Sequence, residues 1–177
     1  MAVSASLQPT YSTNITYGDP RTQGQWVDIY TNKNRYVNSQ FMTTALLEAG
    51  VFVSSTGVQA LYGSTLVAKP TAAGSKIVGV TQINPTKIYD WDDTLKVYRY
   101  RAGEQVSIAT TGDIFMYAET PVEVGDKIYF RHTVDAAKTR IGAVTNAAGI
   151  GLELYAQAQF VERITAPGLV AVALLNA

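Results

Sequence analysis

The sequence predicts an all-β protein: a small antiparallel β-barrel or β-sandwich with an extended N-terminal arm and at most one short helix. The first observation is a series of short apolar runs in which side-chain polarity alternates with the period of a β-strand. The second is the recurrence of Gly, Pro and Asn turn signals roughly every 8 to 12 residues, which gives about ten strands. Long helices do not alternate with these strands, so an α/β fold is disfavoured.

The N-terminal region differs in composition from the rest of the chain. Ser, Thr, Asn, Gln and Tyr dominate there, and Pro9 and Pro20 interrupt any regular element. Apolar anchors nevertheless occur, which a disordered tail would largely lack. The region is either an extended arm, lying along the domain or a neighbouring subunit, or an irregular strand and loop within the domain. We assign residues 1–38 to the arm and residues 39–177 to the β domain.

Three aromatic residues of the arm, Trp26, Tyr30 and Tyr36, are candidate interface residues. An arm has no core of its own in which these side chains could be buried. Aromatic residues are also enriched in protein–protein interfaces. We therefore expect a partner to cover them.

Residues 39–48 form the one helix candidate. Ser39 suits a helix cap, the apolar residues that follow keep helical spacing, and Gly50 suits a helix end. The competing signal is the run Val51-Phe52-Val53, which continues as a strand.

From residue 50 onward the chain alternates between short strands and turns. The clearest segment is 119–132, in which apolar residues alternate with Glu123, Lys127 and Arg131. This pattern predicts a strand, a turn at Gly125-Asp126 and a second strand, with the charged side chains on the solvent-exposed face. The last run, residues 169–175, is apolar throughout, which is typical of a central strand buried on both faces. The other predicted strands lie within residues 50–57, 58–62, 76–83, 87–89, 95–100, 105–109, 112–118, 141–144 and 152–163.

The composition restricts the classes of function. Lys plus Arg and Asp plus Glu both number 14, and this neutrality argues against nucleic-acid binding through a strongly basic face. The absence of cysteine excludes disulfides, thiolate catalysis and zinc–cysteine sites. The first residues lack a signal-peptide pattern, and no apolar run is long enough to span a membrane. Eleven Tyr with only 16% charged residues favour association with another protein.

No catalytic, cofactor-binding or metal-binding residue is predicted. The single histidine, His132, lies at a strand end without a recognisable nucleophile or triad order. The acidic cluster Asp90-Trp91-Asp92-Asp93 lacks the Gly and Glu that an EF-hand loop requires. We interpret it as a solvated hairpin loop that Lys96, Arg99 and Arg101 neutralise locally. The neighbouring aromatic residues, for which we expect cross-strand pairs, are Tyr89, Trp91, Tyr98 and Tyr100.

Several segments, taken in order, resemble the cement, or head-decoration, proteins of tailed bacteriophages. In that family a phrase such as Val-x-x-Gly-Asp introduces a strand, and an apolar Gly-Leu-x-x-Val run closes the fold. The resemblance runs from about Leu47 to the C-terminus, roughly three quarters of the chain. The matching segments are Glu48-Ala-Gly-Val-Phe-Val53, Ile77-Val-Gly-Val80, Val122-Glu-Val-Gly-Asp126, Ile128-Tyr-Phe-Arg131, Ile141-Gly-Ala143 and Pro167-Gly-Leu-Val-Ala-Val172.

The resemblance implies a small β-barrel or β-sandwich that assembles as dimers or trimers on the outside of the capsid. It implies the major capsid protein as partner, with this protein bridging neighbouring capsid subunits against the pressure of packaged DNA. Such a protein is made in the host cytoplasm and resides in the virion. It needs no cofactor, catalyses no reaction and binds neither nucleic acid nor membrane.

Two other functions are compatible with the sequence. One is a tail, neck or fibre-associated β module of the virion. The other is a carbohydrate-binding or carbohydrate-cleaving β-sandwich, in which Trp26, Trp91 and the tyrosines would stack on sugars. The carboxylates that could then pair as acid and base are Asp92 or Asp93 with Glu104 or Glu119.

Overall fold

The computed structural model describes residues 21–27, 36–60, 63–84, 89–135 and 137–175. These residues form an almost entirely β structure, which confirms the predicted fold class. Within them no helix is long and apolar enough to cross a bilayer. The twelve strands are β1 (Tyr36–Thr43), β2 (Leu47–Glu48), β3 (Phe52–Gln59), β4 (Thr65–Ala68), β5 (Ile77–Thr81), β6 (Asp90–Asp92), β7 (Val97–Tyr100), β8 (Gln105–Ala118), β9 (Lys127–Arg131), β10 (Val144–Thr145), β11 (Leu152–Phe160) and β12 (Gly168–Leu174).

The strands form two closed rings that share β8. The first ring has the order β1-β4-β3-β5-β8 and closes through a β1–β8 pairing. The second has the order β8-β10-β9-β11-β12 and closes through β8–β12. The N-terminal half of β8 pairs with β1 and β5, and its C-terminal half pairs with β12. Ring closure leaves few strand edges free, which is how small barrels limit unwanted pairing.

Two pairings are parallel, so the sheets are mixed rather than purely antiparallel. β1 runs parallel to β4, with Phe41 opposite Thr65, and β10 runs parallel to β8, with Val144 opposite Ala118. All other strand pairs are antiparallel. A small separate sheet, β2-β7-β6, packs beside the first ring.

Each ring has its own apolar core. The smaller core belongs to the first ring and the β2–β7 sheet, and the larger core fills the second ring and reaches Phe52 and Val80 of the first. Aromatic contacts across the junction join the two, because the Phe52 ring lies 5.6 Å from Phe130 and 4.7 Å from Tyr155. The chain therefore folds as one connected body around β8.

The helix predicted over residues 39–48 is wrong. Residues up to Thr43 belong to β1, and Leu47–Glu48 form β2. The reason is that β1 lies between β4 and β8 and bonds to both, so strand pairing outweighs a weak local helical pattern. The proposed boundary at residue 38 falls inside β1.

Residues 24–27 lie within the folded domain. Gly24 N–H donates to Phe115 O at 2.7 Å, and Val27 N–H donates to Asp113 O at 3.0 Å. Trp26 forms an antiparallel bridge with Ile114 and belongs to the larger core. This segment thus fills part of the edge of β8 between β5 and β10. For these residues the structure matches the second interpretation, an irregular strand within the domain.

The segment 119–132 forms one strand rather than two. β9 and the turn before it are present, with Gly125 at φ +84°, a conformation that favours glycine. The preceding residues form only an isolated bridge between Val122 and Ile164. β12 is buried from Val170 to Leu174, which confirms the central strand predicted there.

Candidate interaction surface

The three predicted interface residues have different outcomes. Trp26 is 8% exposed and packs in the core of its own domain. It therefore needs no partner to be buried, contrary to the reason given for selecting it. Tyr36 opens β1, where its backbone lies opposite Thr111. Tyr30 lies outside the described residues. A partner contact for these three residues stays a prediction.

The acidic cluster belongs to a hairpin, β6–β7, and its charges are neutralised as expected, but Asp90–Asp92 form strand β6 rather than the predicted loop, because they pair with Val97–Arg99 of β7. Asp90 pairs with Arg101 at 2.8 Å, and Asp92 pairs with Arg99 at 2.9 Å. Lys96 lies 3.6 Å from Asp93. Hydrogen bonds lower the pKa of both aspartates of β6. For Asp90 the main hydrogen bond comes from the Arg101 side chain, and for Asp92 it comes from the Leu95 N–H.

The predicted cross-strand aromatic pairs are present on the same hairpin. Trp91 lies directly opposite Tyr98, with ring centroids 4.9 Å apart. The Tyr89 ring lies 5.9 Å from Tyr98 and 4.9 Å from Tyr100. The aromatic residues therefore stabilise a local element, as such pairs do in antiparallel sheets.

The residues considered above for catalysis make ordinary structural contacts in the described part of the chain. The His132 Nδ1 pairs with the neighbouring Thr133 hydroxyl at 2.8 Å, in a partly exposed position. Asp92 and Glu119, two of the carboxylates that a glycosidase would need, are each held by an arginine. Among the described residues, no three His, Cys, Asp or Glu side chains cluster as a metal site would require.

The feature that sequence reasoning missed is a buried ion pair between Glu119 and Arg131. Arg131 Nε donates to Glu119 Oε1 and Nη2 donates to Oε2, both at 2.7 Å. The side chains are 5% and 2% exposed. The Glu119 carboxylate raises the pKa of Arg131, mainly through these hydrogen bonds. The alternation of side chains along the strand predicts that Arg131 lies on the solvent-exposed face. Loops cover it instead, because β9 ends at this residue.

The remaining Arg131 donor fixes two loops at the end of the second ring. Its Nη1 donates to Thr133 O at 3.2 Å and to Ile150 O at 3.4 Å. His132 N–H also donates to Gly151 O at 2.8 Å. Gly151 has φ +70°, and a Cβ there would lie 2.5 Å from Thr133 O. The two loops therefore approach each other more closely than a larger residue allows.

The tips of these two loops expose apolar side chains. Ile150 is 81% exposed and Val134 is 56% exposed. We call residues 132–135 and 149–151 the loop pair. Two exposed apolar side chains on loops that hydrogen bonds hold together make this surface a candidate for binding another protein. The turn glycines 149 and 151 are the sequence signal that could have located it.

The chain was compared with protein families, curated proteins and solved structures. A family model described as structural cement protein (E217 gp24/Pam3 gp6) matches residues 13–175. No curated protein matches the sequence. Among solved structures, a chain from the capsid of Myoviridae phage XM1 is similar over 92% of this chain and 96% of its own, with a TM-score of 0.64 and 17% identity. That similarity shows a shared fold. Because the family model spans nearly the whole chain, this protein belongs to the phage structural cement protein family.

Proposed function

We propose that this protein decorates the outside of a phage capsid and stabilises the shell by bridging neighbouring major capsid subunits, without enzymatic activity. Membership of the cement family gives the protein a structural role in the virion. The match over residues 13–175 is the observation that carries the proposal. The protein would be made in the host cytoplasm and join the capsid from there.

The loop pair is the surface we assign to the capsid contact. Its exposed apolar side chains, Val134 and Ile150, would be covered by a capsid subunit, and burying them removes apolar area from water. The buried Glu119–Arg131 pair holds the loops in place before binding, so little conformational entropy is lost on docking.

Homo-oligomers would place several such loop pairs on neighbouring capsid subunits at once. Either a dimer or a trimer would fit this role. Once one copy is bound, the next contact is effectively intramolecular, so modest contacts repeated around the shell give strong attachment.

Residues 1–20 are proposed to extend this contact as an arm, and Tyr30 and Tyr36 are proposed to contribute side chains to the same interface. An arm that becomes ordered on a neighbour can wrap surface that a compact domain cannot reach. Because residues 24–27 bond to β8, the arm we would remove to test this is residues 1–20. We expect the truncated protein to remain folded and to bind capsids more weakly. Undiminished binding would remove the arm from the mechanism.

The proposal is tested by mixing the purified protein with matching capsids that lack it. Co-sedimentation should saturate at a fixed ratio to the major capsid protein, and the decorated capsids should survive heat or osmotic shock that breaks bare ones. The absence of binding, or binding without any gain in shell stability, would overturn the proposal.

The loop pair is tested by the variant Val134→Ser/Ile150→Ser. Both side chains are exposed, so folding should be unaffected, and we expect capsid binding to weaken at least tenfold. The matched control is Val58→Ser, since Val58 is 54% exposed on the β3–β4 hairpin of the first ring. Equal binding by the two variants would exclude the loop pair as the contact.

A further inference from the structure

A groove of about 480 Å³ lies where the β6–β7 turn meets the end of β8 and the loop between β9 and β10. Its apolar walls include Leu95, Tyr117 and Pro167. Its charged lining consists of Glu119, Lys138 and Arg140. We call it the Arg140 groove. Its volume lies in the range of pockets that bind small ligands or side chains.

Among the described residues, Arg140 has no carboxylate partner. Its Nη2 donates to the side-chain oxygen of Gln23, which is a neutral group, and its guanidinium stacks 4.5 Å from the centre of the Tyr117 ring. The Nε is buried, and no hydrogen-bond partner for it occurs in the described part of the chain. Within the described residues, no acidic side chain lies within 4.0 Å of this guanidinium.

The carboxylates that influence Arg140 electrostatically are already neutralised by other cations. They are Glu48, paired with Lys69; Asp92, paired with Arg99; and Glu119, paired with Arg131. Lys138 adds a second cation, 3.9 Å from a Glu119 oxygen that already accepts from Arg131 at 2.7 Å. Lys138 and Arg140 therefore give the groove an excess of positive charge.

Burying a guanidinium without an anion is unfavourable, because the lost hydration is not replaced by an ion pair. Burial accordingly lowers the pKa of Arg140. A carboxylate placed in the groove would supply the missing anion to the accessible part of the guanidinium. The partly apolar walls would cover the carbon atoms of the same segment.

We infer that the Arg140 groove binds an acidic segment of the neighbouring capsid protein, with an Asp or Glu side chain paired to Arg140 and Lys138. This inference deepens the proposed function and rests on it for the partner. A protein segment fits better than a nucleic acid, because the apolar part of the lining suits side-chain carbon atoms and a chain with zero net charge offers little attraction to a phosphate backbone. The groove would thus fix the orientation of the contact.

The first test compares capsid binding by Arg140→Gln, Arg140→Lys and the control Arg101→Gln. Arg101 is an exposed cation on the adjacent hairpin that already has a partner in Asp90. We expect Arg140→Gln to weaken binding about tenfold or more, Arg140→Lys to recover part of it, and Arg101→Gln to match the wild type. Circular dichroism checks that each variant is folded. If Arg140→Gln misfolds, Lys138→Gln serves as the second variant, because the Lys138 side chain is only half-buried. Wild-type binding by the folded variants would overturn the inference.

The second test uses the free protein without capsids. An acetylated and amidated peptide with two glutamates should shift the backbone amide NMR signals of Thr94, Leu95 and Lys138, whereas its glutamine counterpart should not. If inorganic phosphate or oligothymidylate shifts these signals and the glutamate peptide does not, the acidic-peptide assignment is wrong. Peptide binding without capsid binding would overturn the proposed function and the capsid partner. Capsid binding without peptide binding would overturn the groove alone.

Discussion

The β6–β7 hairpin and the Glu119–Arg131 pair use the same kinds of side chain in opposite ways. On the hairpin, Asp90 of β6 pairs with Arg101, the residue after β7, and their side chains are 34% and 57% exposed. Glu119 and Arg131 pair at 2.7 Å with almost no exposure. The hairpin pairs neutralise charge near their own turn, whereas the buried pair holds together three separate segments of the chain.

The difference in solvent exposure decides what each pair contributes. Water and salt screen the Asp90–Arg101 pair, so it adds little to stability. A buried pair contributes mainly because either partner alone would be a charge without hydration. The buried pair also sets the positions of Thr133 and Ile150, and thus the shape of the loop pair.

The largest expected effect follows from breaking the buried pair. Arg131→Met leaves the Glu119 carboxylate buried without its partner, and should lower the free energy of unfolding by about 3–5 kcal/mol. Urea denaturation at neutral pH measures this. The control is the double variant Glu119→Leu/Arg131→Met, which removes both charges and should lose less. Equal destabilisation by the single and double variants would show that the charges are not the cause.

A smaller effect is expected at the turn before β9. The Asp126 carboxylate accepts the Glu123 N–H at 3.0 Å and the Asn146 side-chain amide at 2.7 Å. Asp126→Asn weakens both interactions, and because the site is partly solvated the loss in unfolding free energy should be no more than about 1 kcal/mol. Chemical denaturation of the two proteins in parallel measures it.

The same variant gives a pH dependence with a definite sign. The Glu123 N–H and then Asn146 lower the pKa of Asp126 below its ordinary value of 3.8. A lowered folded-state pKa stabilises the protein above the unfolded-state value, and that stabilisation is lost as the pH falls through the folded-state pKa. The difference between wild type and Asp126→Asn should therefore persist at neutral pH and shrink below about pH 4. A difference that grows in acid would contradict this assignment.

The smallest effect is expected on the hairpin. Arg101→Ala removes the partner of Asp90, but both side chains keep much of their hydration. We expect no resolvable change in the urea midpoint at physiological salt and at most a slight one at low salt, where screening is weaker. A loss comparable to that of Arg131→Met would mean that exposure does not separate the two kinds of pair.

Much of the second ring could be predicted from the sequence. The turn at Gly125, strand β9 and the buried run of β12 all follow from patterns that span fewer than ten neighbouring residues. The hairpin β6–β7 could also be predicted from the sequence, because its ion pairs and aromatic pairs join residues that are close in sequence. Where the pattern was weak, as over residues 39–48, pairing with distant strands decided the outcome.

The candidate sites could not be predicted in the same way. Alternation placed Arg131 in water, but its environment depends on loops that follow β9 and precede β11. Trp26 was assigned to an arm because its sequence neighbours are polar, yet it bridges to Ile114 in the middle of β8. That Arg140 has no carboxylate partner among the described residues depends on which carboxylates other cations have already paired with.

The sequence by itself determined the all-β class, the neutral and cysteine-free character, most of the strands and the resemblance to phage cement proteins. These features follow from local periodicity, composition and short motifs, which need no knowledge of distant contacts. The tertiary structure alone decided that β8 is shared by two rings, that Glu119 and Arg131 are buried together, and that Arg140 lines a groove with no carboxylate paired to it among the described residues. Burial and ion pairing depend on which distant segments meet, because the energy of a charge is set by all the groups around it.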